Sequence, residues 1–428
     1  MYCISRFNFL WQKHKNYFIY NSLSNSFLKI NKELYDLMKD SQDVIDIELV
    51  PQSLIDYLSK NYFILKNKED DINLFKKHFT LTRYKSKTLR LTIAPTTDCN
   101  FRCPYCYEEG ITYETMNKGT EQLVCEYINE SSEDTVRIDW YGGEPLLAFD
   151  KILNICNYVK NHKKTLIIGM VTNGFLLTKE RVNALLNYNI ADIQITLDGI
   201  GSEHENTRIH KDGEQTFDKI IENISYILNE TNIFCSIRVN VSKVKDEYQQ
   251  VLQYFEEHFK GLNYKIHPGF VRDYSGLKPD LTNGNCNNGM DFKEKVSLYR
   301  KNYKFKKNIN FPTLKWNDCS ARSFETYVIA PDGNFYKCWE DIHNKSLAIF
   351  NIHNKGYFND NLSNKYLFTA DVLSDNRCLN CNVLPICGGG CPASRIRHAD
   401  DSRFKHDCDV YKNNIEEFLT YYYENISN

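Results

Sequence analysis

The feature that most constrains this chain is a change of hydrophobic period near residue 89. From there, short aliphatic runs alternate with amphipathic stretches of helical spacing. Strands are expected at residues 89–95, 136–141, 166–171, 192–197, 234–241 and 264–271. Helices are expected between them at 113–129, 149–161, 179–188, 217–228 and 244–259. Strands that alternate with helices in this way form a parallel sheet with right-handed crossovers. The reading is an α/β fold, a partial (β/α)6 barrel, in which a site would sit at the C-terminal ends of the strands.

The loops at those ends carry the chemistry. After the first strand comes Cys99-x3-Cys103-x2-Cys106, with no fourth cysteine nearby. Three thiolates on one short loop can hold three corners of an iron–sulfur cube and leave one iron open. The alternative is a zinc knuckle completed from a distance, since structural zinc takes a closed set of four ligands. After the second strand comes Tyr141-Gly142-Gly143-Glu144-Pro145. Glycines there let a ligand approach the backbone, and the carboxylate can accept from an ammonium group, although the motif also reads as a plain turn. Thr172-Asn173-Gly174 ends the third strand, and Thr196-Leu197-Asp198-Gly199 ends the fourth, followed by His204 and Arg208. Arg208 suits a carboxylate partner or a solvated helix position. Asn240 lies near the end of the fifth strand.

A second cysteine set follows: Cys319, Gly333-x4-Cys338, Cys378-x2-Cys381-x5-Cys387-x3-Cys391 and Cys408. Seven thiolates suit two further clusters, or two zinc ions with one ligand short. Cys286 is either a remote ligand or a free thiol, and Cys3, Cys125, Cys156 and Cys235 fall in apolar patterns as core residues. Fifteen cysteines with no signal-peptide pattern point to metal sites in a reducing compartment, the cytoplasm. A net charge of −2 argues against a nucleic-acid partner, and no apolar run is long enough for a membrane span.

Ahead of the barrel, residues 17–20 and 27–30 read as two strands joined by a turn-prone Asn/Ser segment. Helices follow at 32–39 and 52–60, and 62–65 reads as a short strand or a helix end. This is a winged-helix-like pattern. A Gly- and Asn-rich stretch from about 273 to 318 reads as a bridge. The expected organisation is therefore 1–88, 89–273 and 274–428.

The cysteine loop together with Gly-Gly-Glu-Pro resembles the radical S-adenosylmethionine superfamily. The resemblance implies that Cys99, Cys103 and Cys106 hold a [4Fe–4S] cluster whose open iron chelates S-adenosylmethionine. It implies that Gly142, Gly143 and Glu144 face the methionyl amine and that Tyr105 lies near the adenine, with Thr196, Arg208 and Asn240 as further cofactor contacts. The chemistry implied is reductive cleavage to a 5′-deoxyadenosyl radical, fed by a donor such as flavodoxin or ferredoxin. The later cysteines resemble a SPASM extension, which implies two auxiliary [4Fe–4S] clusters. One would be held by Cys378, Cys381, Cys387 and Cys408, the other by Cys319, Cys338 and Cys391. The N-terminal pattern is similar to PqqD-like elements that bind leader peptides, which implies a peptide maturase acting on a precursor with a leader segment. The competing resemblance is to anaerobic sulfatase-maturating enzymes, whose base follows the cysteine matching Cys338. Here Trp339 stands there, followed by Glu340 and Asp341, which read as catalytic bases or as solvated loop carboxylates. A non-catalytic metal-binding adaptor is the remaining reading.

Overall fold

The computed structural model describes all residues except 1, 42–43, 46–49, 85–86, 107, 109–110, 242–246, 271–310, 317–318, 343, 398–407, 409 and 427–428. Cys286 and most of the expected bridge lie outside the described residues. The chain forms two compact units. One comprises Met1–Lys85, Ile309–Phe324 and Lys365–Asn428, and the other comprises Ser86–Asn308 and Glu325–Asn364. The segment expected to be one domain, 274–428, is thus shared between both. Aromatic packing draws part of it to one unit, and strand pairing draws the rest to the other.

In the first unit the strands are β1 (Tyr2–Ile4), β2 (Asn8–Lys13), β3 (Asn16–Asn21), β4 (Ser26–Ile30), β5 (Val44–Ile45) and β6 (Ile64–Leu65). They form two three-stranded sheets, β2-β3-β4 and β5-β1-β6. The two strands expected here are β3 and β4. Strand β2 escapes a period-2 reading because both of its faces are used. Phe9 and Trp11 join Phe18 and Tyr20 in one cluster, while Leu10 packs into another with Ile19, Leu34 and Leu58. The first cluster reaches Val383, Ile386, Ile415 and Leu419, and Trp11 Nε1 donates to Thr420 Oγ1 at 2.9 Å. The N-terminal sheet and the C-terminal helix Ile415–Ile426 therefore share one core, and residues 1–88 are not an independent body.

Helix Asp70–Tyr84 presents Ile72, Phe75 and Phe79 to a cluster with Phe7, Val372 and Leu384. Its last turn carries Arg83, which is almost fully buried. The guanidinium donates to Arg322 O at 3.1 Å, to Asp371 Oδ2 at 2.7 Å and to Leu367 O.

In the second unit the six expected parallel strands are β7 (Thr88–Ile93), β8 (Thr135–Trp140), β9 (Thr165–Thr172), β10 (Ile190–Leu197), β11 (Phe234–Val241) and β12 (Tyr264–Phe270). Four more follow: β13 (Thr326–Ile329), β14 (Asn334–Tyr336), β15 (Phe350–Asn351) and β16 (Asn354–Phe358). The sheet order is β12-β11-β10-β9-β8-β7-β13-β14-β15-β16. Strand β13 pairs in parallel with β7, Thr326 beside Arg90 and Ile329 beside Ile93, which is why residues 325–364 belong to this unit.

One face of the parallel strands is apolar. Leu91, Ile93, Ile138, Trp140, Ile195 and Val239 are buried in the main core beside Val124, Ile152 and Ile224 from the intervening helices. The alternate residues, among them Arg137, Asp139, Gln194, Arg238 and Asn240, lie on the other face and are half-buried. A parallel sheet covered by helices on both faces would be apolar on both. This one keeps a polar face, and its strand-end loops carry the cysteines.

Replacing Arg83 with Met should strand Asp371 and two carbonyls and cost about 3–5 kcal/mol of unfolding free energy, read by urea denaturation. Adding Asp371→Asn should recover part of that loss. A single-variant loss no larger than that of an exposed-site control would sink the assignment.

Candidate functional site

The cysteine loop is held by its neighbours through backbone bonds. Gly143 N donates to Thr96 O at 3.3 Å and Glu144 N to Asp98 O at 2.8 Å. On the other side, Arg102 N donates to Ile209 O at 2.7 Å and Lys211 N to Asn100 O at 2.9 Å. A Cβ on Gly142 would lie 2.3 Å from Thr96 O, and one on Gly143 would lie 2.3 Å from Asp98 O. The glycine pair therefore has a packing reason: it seats the β8 loop directly on the cysteine loop.

Glu144 is completely buried. Its carboxylate accepts from Leu146 N at 3.1 Å, Thr172 Oγ1 at 2.8 Å and Asn173 N at 2.8 Å. Burial pushes its pKa up, and those hydrogen bonds work in the opposite direction. The side chain ties the end of β8 to the end of β9. Asn173 continues the chain of contacts, donating through Nδ2 to Asn100 Oδ1 at 2.8 Å and lying 3.9 Å from Cys99 Sγ.

A second group of polar side chains meets at the Tyr105 hydroxyl. It donates to Asp198 and accepts from Arg208 Nη1 at 3.3 Å and from Asn240 Nδ2 at 3.2 Å. Arg208 is buried, with its guanidinium 5.4 Å from the Phe101 ring centroid. Three residues picked from the sequence, Tyr105, Arg208 and Asn240, are thus brought together from two strand-end loops and the C-terminal end of strand β11. Asp198 was visible only as part of a polar strand ending, and it accepts from the hydroxyl at which they meet. Thr196 sits in β10 beside Arg238 and takes no part in these bonds among the described residues.

Burial raises all three loop thiols, Cys99 to about 12 and Cys106 to about 11. Their thiolates are disfavoured unless a cation offsets the desolvation. Buried Asn100 Nδ2, Asp198 Oδ1 and Arg208 Nε have no hydrogen-bond partner among the described residues. Each such atom costs about 1–3 kcal/mol unless a ligand satisfies it. Three sulfurs beside orphaned polar atoms fit an iron–sulfur cluster with a polar ligand next to it.

Of the later cysteines, Cys319, Cys378, Cys381, Cys387, Cys391 and Cys408 belong to the first unit, and Cys338 to the second. Cys378 Sγ accepts from Arg395 Nη2 at 3.0 Å, and Arg395 Nη1 donates to Asp375 Oδ2 at 3.0 Å. Lys412 Nζ lies 3.4 Å from Cys408 Sγ, and Cys378, Cys381 and Cys408 all act on it electrostatically. Glu340 and Asp341 are buried within the short helical turn Trp339–Asp341. Trp339 is 46% exposed and stacks on Tyr141, with centroids 5.4 Å apart and planes 11° apart. Sequence reasoning noted Trp339 only as a departure from a family pattern. The aromatic beside Gly142 was the signal that could have paired them.

A parallel α/β sheet that offers three cysteines and a buried polar hub at its strand ends defines a class of metalloenzyme domain. Residues 93–255 match the family model of the radical SAM superfamily, which marks this stretch as a radical SAM domain. It is 22% identical to the radical SAM cyclopropyl synthase TigE of Paramaledivibacter caminithermalis, over 90% of this chain and 86% of that one. It is 25% identical to the cysteine-type anaerobic sulfatase-maturating enzyme of Clostridium novyi, over 71% of this chain and 88% of that one. Among solved structures, native anSMEcpe with bound AdoMet and Cp18Cys peptide gives a TM-score of 0.60 at 19% identity, covering 79% of this chain and 98% of that one. Streptococcus suis SuiB bound to precursor peptide SuiA gives 0.52 at 16% identity, covering 96% and 99%. At these identities the structural likenesses speak to fold alone. No helix among the described residues is long and apolar enough to cross a membrane.

His204 is fully buried, and its Nδ1 accepts from Asp198 N at 3.4 Å. Burial, then Arg208, push its pKa down to about 3. Between there and the unfolded value of about 6.5, only the unfolded chain takes the proton, so stability should fall with pH by up to about 1.4 kcal/mol per unit. Unfolding free energies at about pH 7 and pH 5 should differ less in His204→Gln than in the wild type. Equal slopes would remove His204 as the cause.

Proposed function

We propose that this chain is a radical S-adenosylmethionine peptide maturase. It takes a hydrogen atom from a residue of a ribosomally made precursor peptide and installs an oxidative crosslink, either thioether or carbon–carbon. The observation that carries this reading is the reach of the likeness to peptide-bound SuiB. A coverage of 96% leaves out about 17 of 428 residues, so the match runs through most of residues 1–85. The similarity to TigE, over 90% of the chain, supports the same reading.

In this reading Cys99, Cys103 and Cys106 hold the [4Fe–4S] cluster, and the hub of Tyr105, Asp198, Arg208 and Asn240 orients the nucleoside beside it. When bound, cluster and S-adenosylmethionine supply the electron and the 5′-deoxyadenosyl radical. Gly142, Gly143 and Glu144 shape the methionyl side, and Thr196 borders the pocket. Cys378, Cys381, Cys387 and Cys408 hold one auxiliary cluster, and Cys319 and Cys391 contribute to another. Glu340 or Asp341 would receive the substrate proton, and the surplus electron left as the new bond forms would pass to the auxiliary clusters. The leader pairs with β4, which is an edge of the β2-β3-β4 sheet and has one row of backbone groups without a strand partner among the described residues.

A second reading, sulfatase maturation, is favoured by the 0.60 TM-score to anSMEcpe and the 25% identity to the Clostridium novyi enzyme. Trp339 in the position expected to carry that chemistry's base weighs against it.

The test is incubation of the reduced enzyme with S-adenosylmethionine and the short peptides encoded beside its gene. The expected product is lighter by two hydrogen atoms and resists separation at the new bond. Conversion of a sulfatase-derived Cys or Ser to formylglycine instead would reverse the ranking. Replacing Cys99, Cys103 and Cys106 together with Ala should abolish cofactor cleavage and leave most of the iron–sulfur absorption in place. A colourless triple variant would remove the auxiliary clusters from the proposal. Deleting residues 1–85 is a poor test of leader binding, because it would open the core shared with Ile415 and Leu419. Hydrogen exchange is cleaner: the precursor should slow exchange across residues 26–30, and product formation without such slowing would count against strand addition.

A further inference from the structure

The polar face of the parallel sheet carries cations that are answered unequally. Arg137 Nη2 lies 2.8 Å from Asp139 Oδ1 and 2.8 Å from Asp192 Oδ2, so its charge is neutralised on the sheet itself. Arg238, three strands further along on β11, has a different environment. Its one hydrogen bond among the described residues runs from Nε to Asn240 Oδ1 at 2.9 Å. No carboxylate among the described residues lies within ion-pairing distance of it. With Nε already held, the two Nη groups remain, and a guanidinium presents these as a planar pair suited to a carboxylate.

The neighbouring strand makes room for this arrangement. Gly269 of β12 pairs with Asn240, and a Cβ there would lie 2.2 Å from Arg238 Nε and 2.9 Å from Cζ. Any side chain at 269 would displace the guanidinium, so the glycine lets Arg238 lie across β12. On the same face, His267 sits beside Arg238 in register and 3.3 Å from Ser236 Oγ. Burial, then Arg238 and Lys265, push its pKa down to about 4, so it is neutral and adds no competing charge. Among the described residues, the local field is positive and no carboxylate answers it.

Arg238 is also tied to the site. Asn240, which accepts from its Nε, donates to the Tyr105 hydroxyl at the hub. Two residues along a strand span about 6.6 Å, roughly one peptide side chain's reach from the hub.

We propose that Arg238 anchors a carboxylate of the substrate, an Asp or Glu side chain adjacent to the residue from which hydrogen is taken. This rests on the peptide-maturase reading and narrows it to acidic core peptides. The same chemistry could come from the methionyl carboxylate of S-adenosylmethionine, so the test separates the two sources. The cluster-loaded enzyme is treated with phenylglyoxal, and modification at each arginine is followed by mass spectrometry. Separate arms add N-acetylglutamate N-methylamide, N-acetylglutamine N-methylamide or S-adenosylmethionine. The glutamate probe should slow modification of Arg238 several-fold and leave Arg137 unchanged, and the glutamine probe should slow modification of neither arginine. Equal effects of the two amides, no protection, or protection by S-adenosylmethionine alone would overturn the anchor. Because footprinting needs no turnover, the two failures stay apart. Protection by glutamate in an enzyme that modifies no peptide leaves the anchor standing and removes the maturase. Turnover of an acid-free peptide without protection removes only the anchor.

Discussion

Glu144 N donates to Asp98 O, Gly143 N donates to Thr96 O, and neither bond forms unless the two strand-end loops lie backbone to backbone. The rest of the site depends on that approach. It fixes the start of the cysteine loop against β8, while the Glu144 carboxylate, locked by Leu146, Thr172 and Asn173, fixes β8 against β9. Asn173 then reaches Asn100 inside the cysteine loop. The path closes on itself, so the cysteine loop is positioned from two sides before any cofactor binds. Preorganisation of this kind lowers the ordering cost that a bound group would otherwise meet.

The Tyr105 hydroxyl plays the matching part on the far side of the loop. One donor bond to Asp198 and two accepted bonds from Arg208 and Asn240 join the cysteine loop to the ends of β10 and β11. The network is buried and incompletely satisfied, with Asp198 Oδ1 and Arg208 Nε lacking partners among the described residues. In a low-dielectric site such gaps are costly. In the proposed reading a bound adenosyl group would supply the missing donors and acceptors.

Much of this was legible in the residues. The strands β7 to β12 show because only one face is covered by helices, which leaves a period-2 signal in stretches such as Leu89-Arg90-Leu91-Thr92-Ile93. The hub residues show because each lies at the C-terminal end of a strand or in the loop beyond it. Strand β13 does not show as part of the sheet, because its partner β7 lies far away in sequence and four residues carry no sign of pairing. Nor does β2, whose two buried faces erase the alternation. Helix Asp70–Tyr84 carried a usable signal in Ile72, Phe75 and Phe79, spaced for one helical face. The shared core of the N-terminal sheet and the C-terminal helix had none, since Trp11 and Thr420 meet only through the fold.

The contrast between Arg137 and Arg238 shows how one polar face can serve two ends. An arginine beneath a parallel sheet's helix layer would be intolerable, and on the opposite face it needs either a carboxylate or water. Arg137 has carboxylates on both sides, and Gly169 between them leaves space for the pair, since a Cβ there would lie 2.4 Å from Asp139 Oδ1. Arg238 has the same kind of glycine clearance at Gly269 but an amide in place of the acid, because Asn240 stands where an Asp would neutralise it. An Asp at 240 would form the ion pair and lose the amide donor to Tyr105. The asparagine keeps the hub intact and leaves Arg238 without a carboxylate partner among the described residues, so in the proposed reading one residue choice links the placement of the cofactor to the charge offered to the substrate.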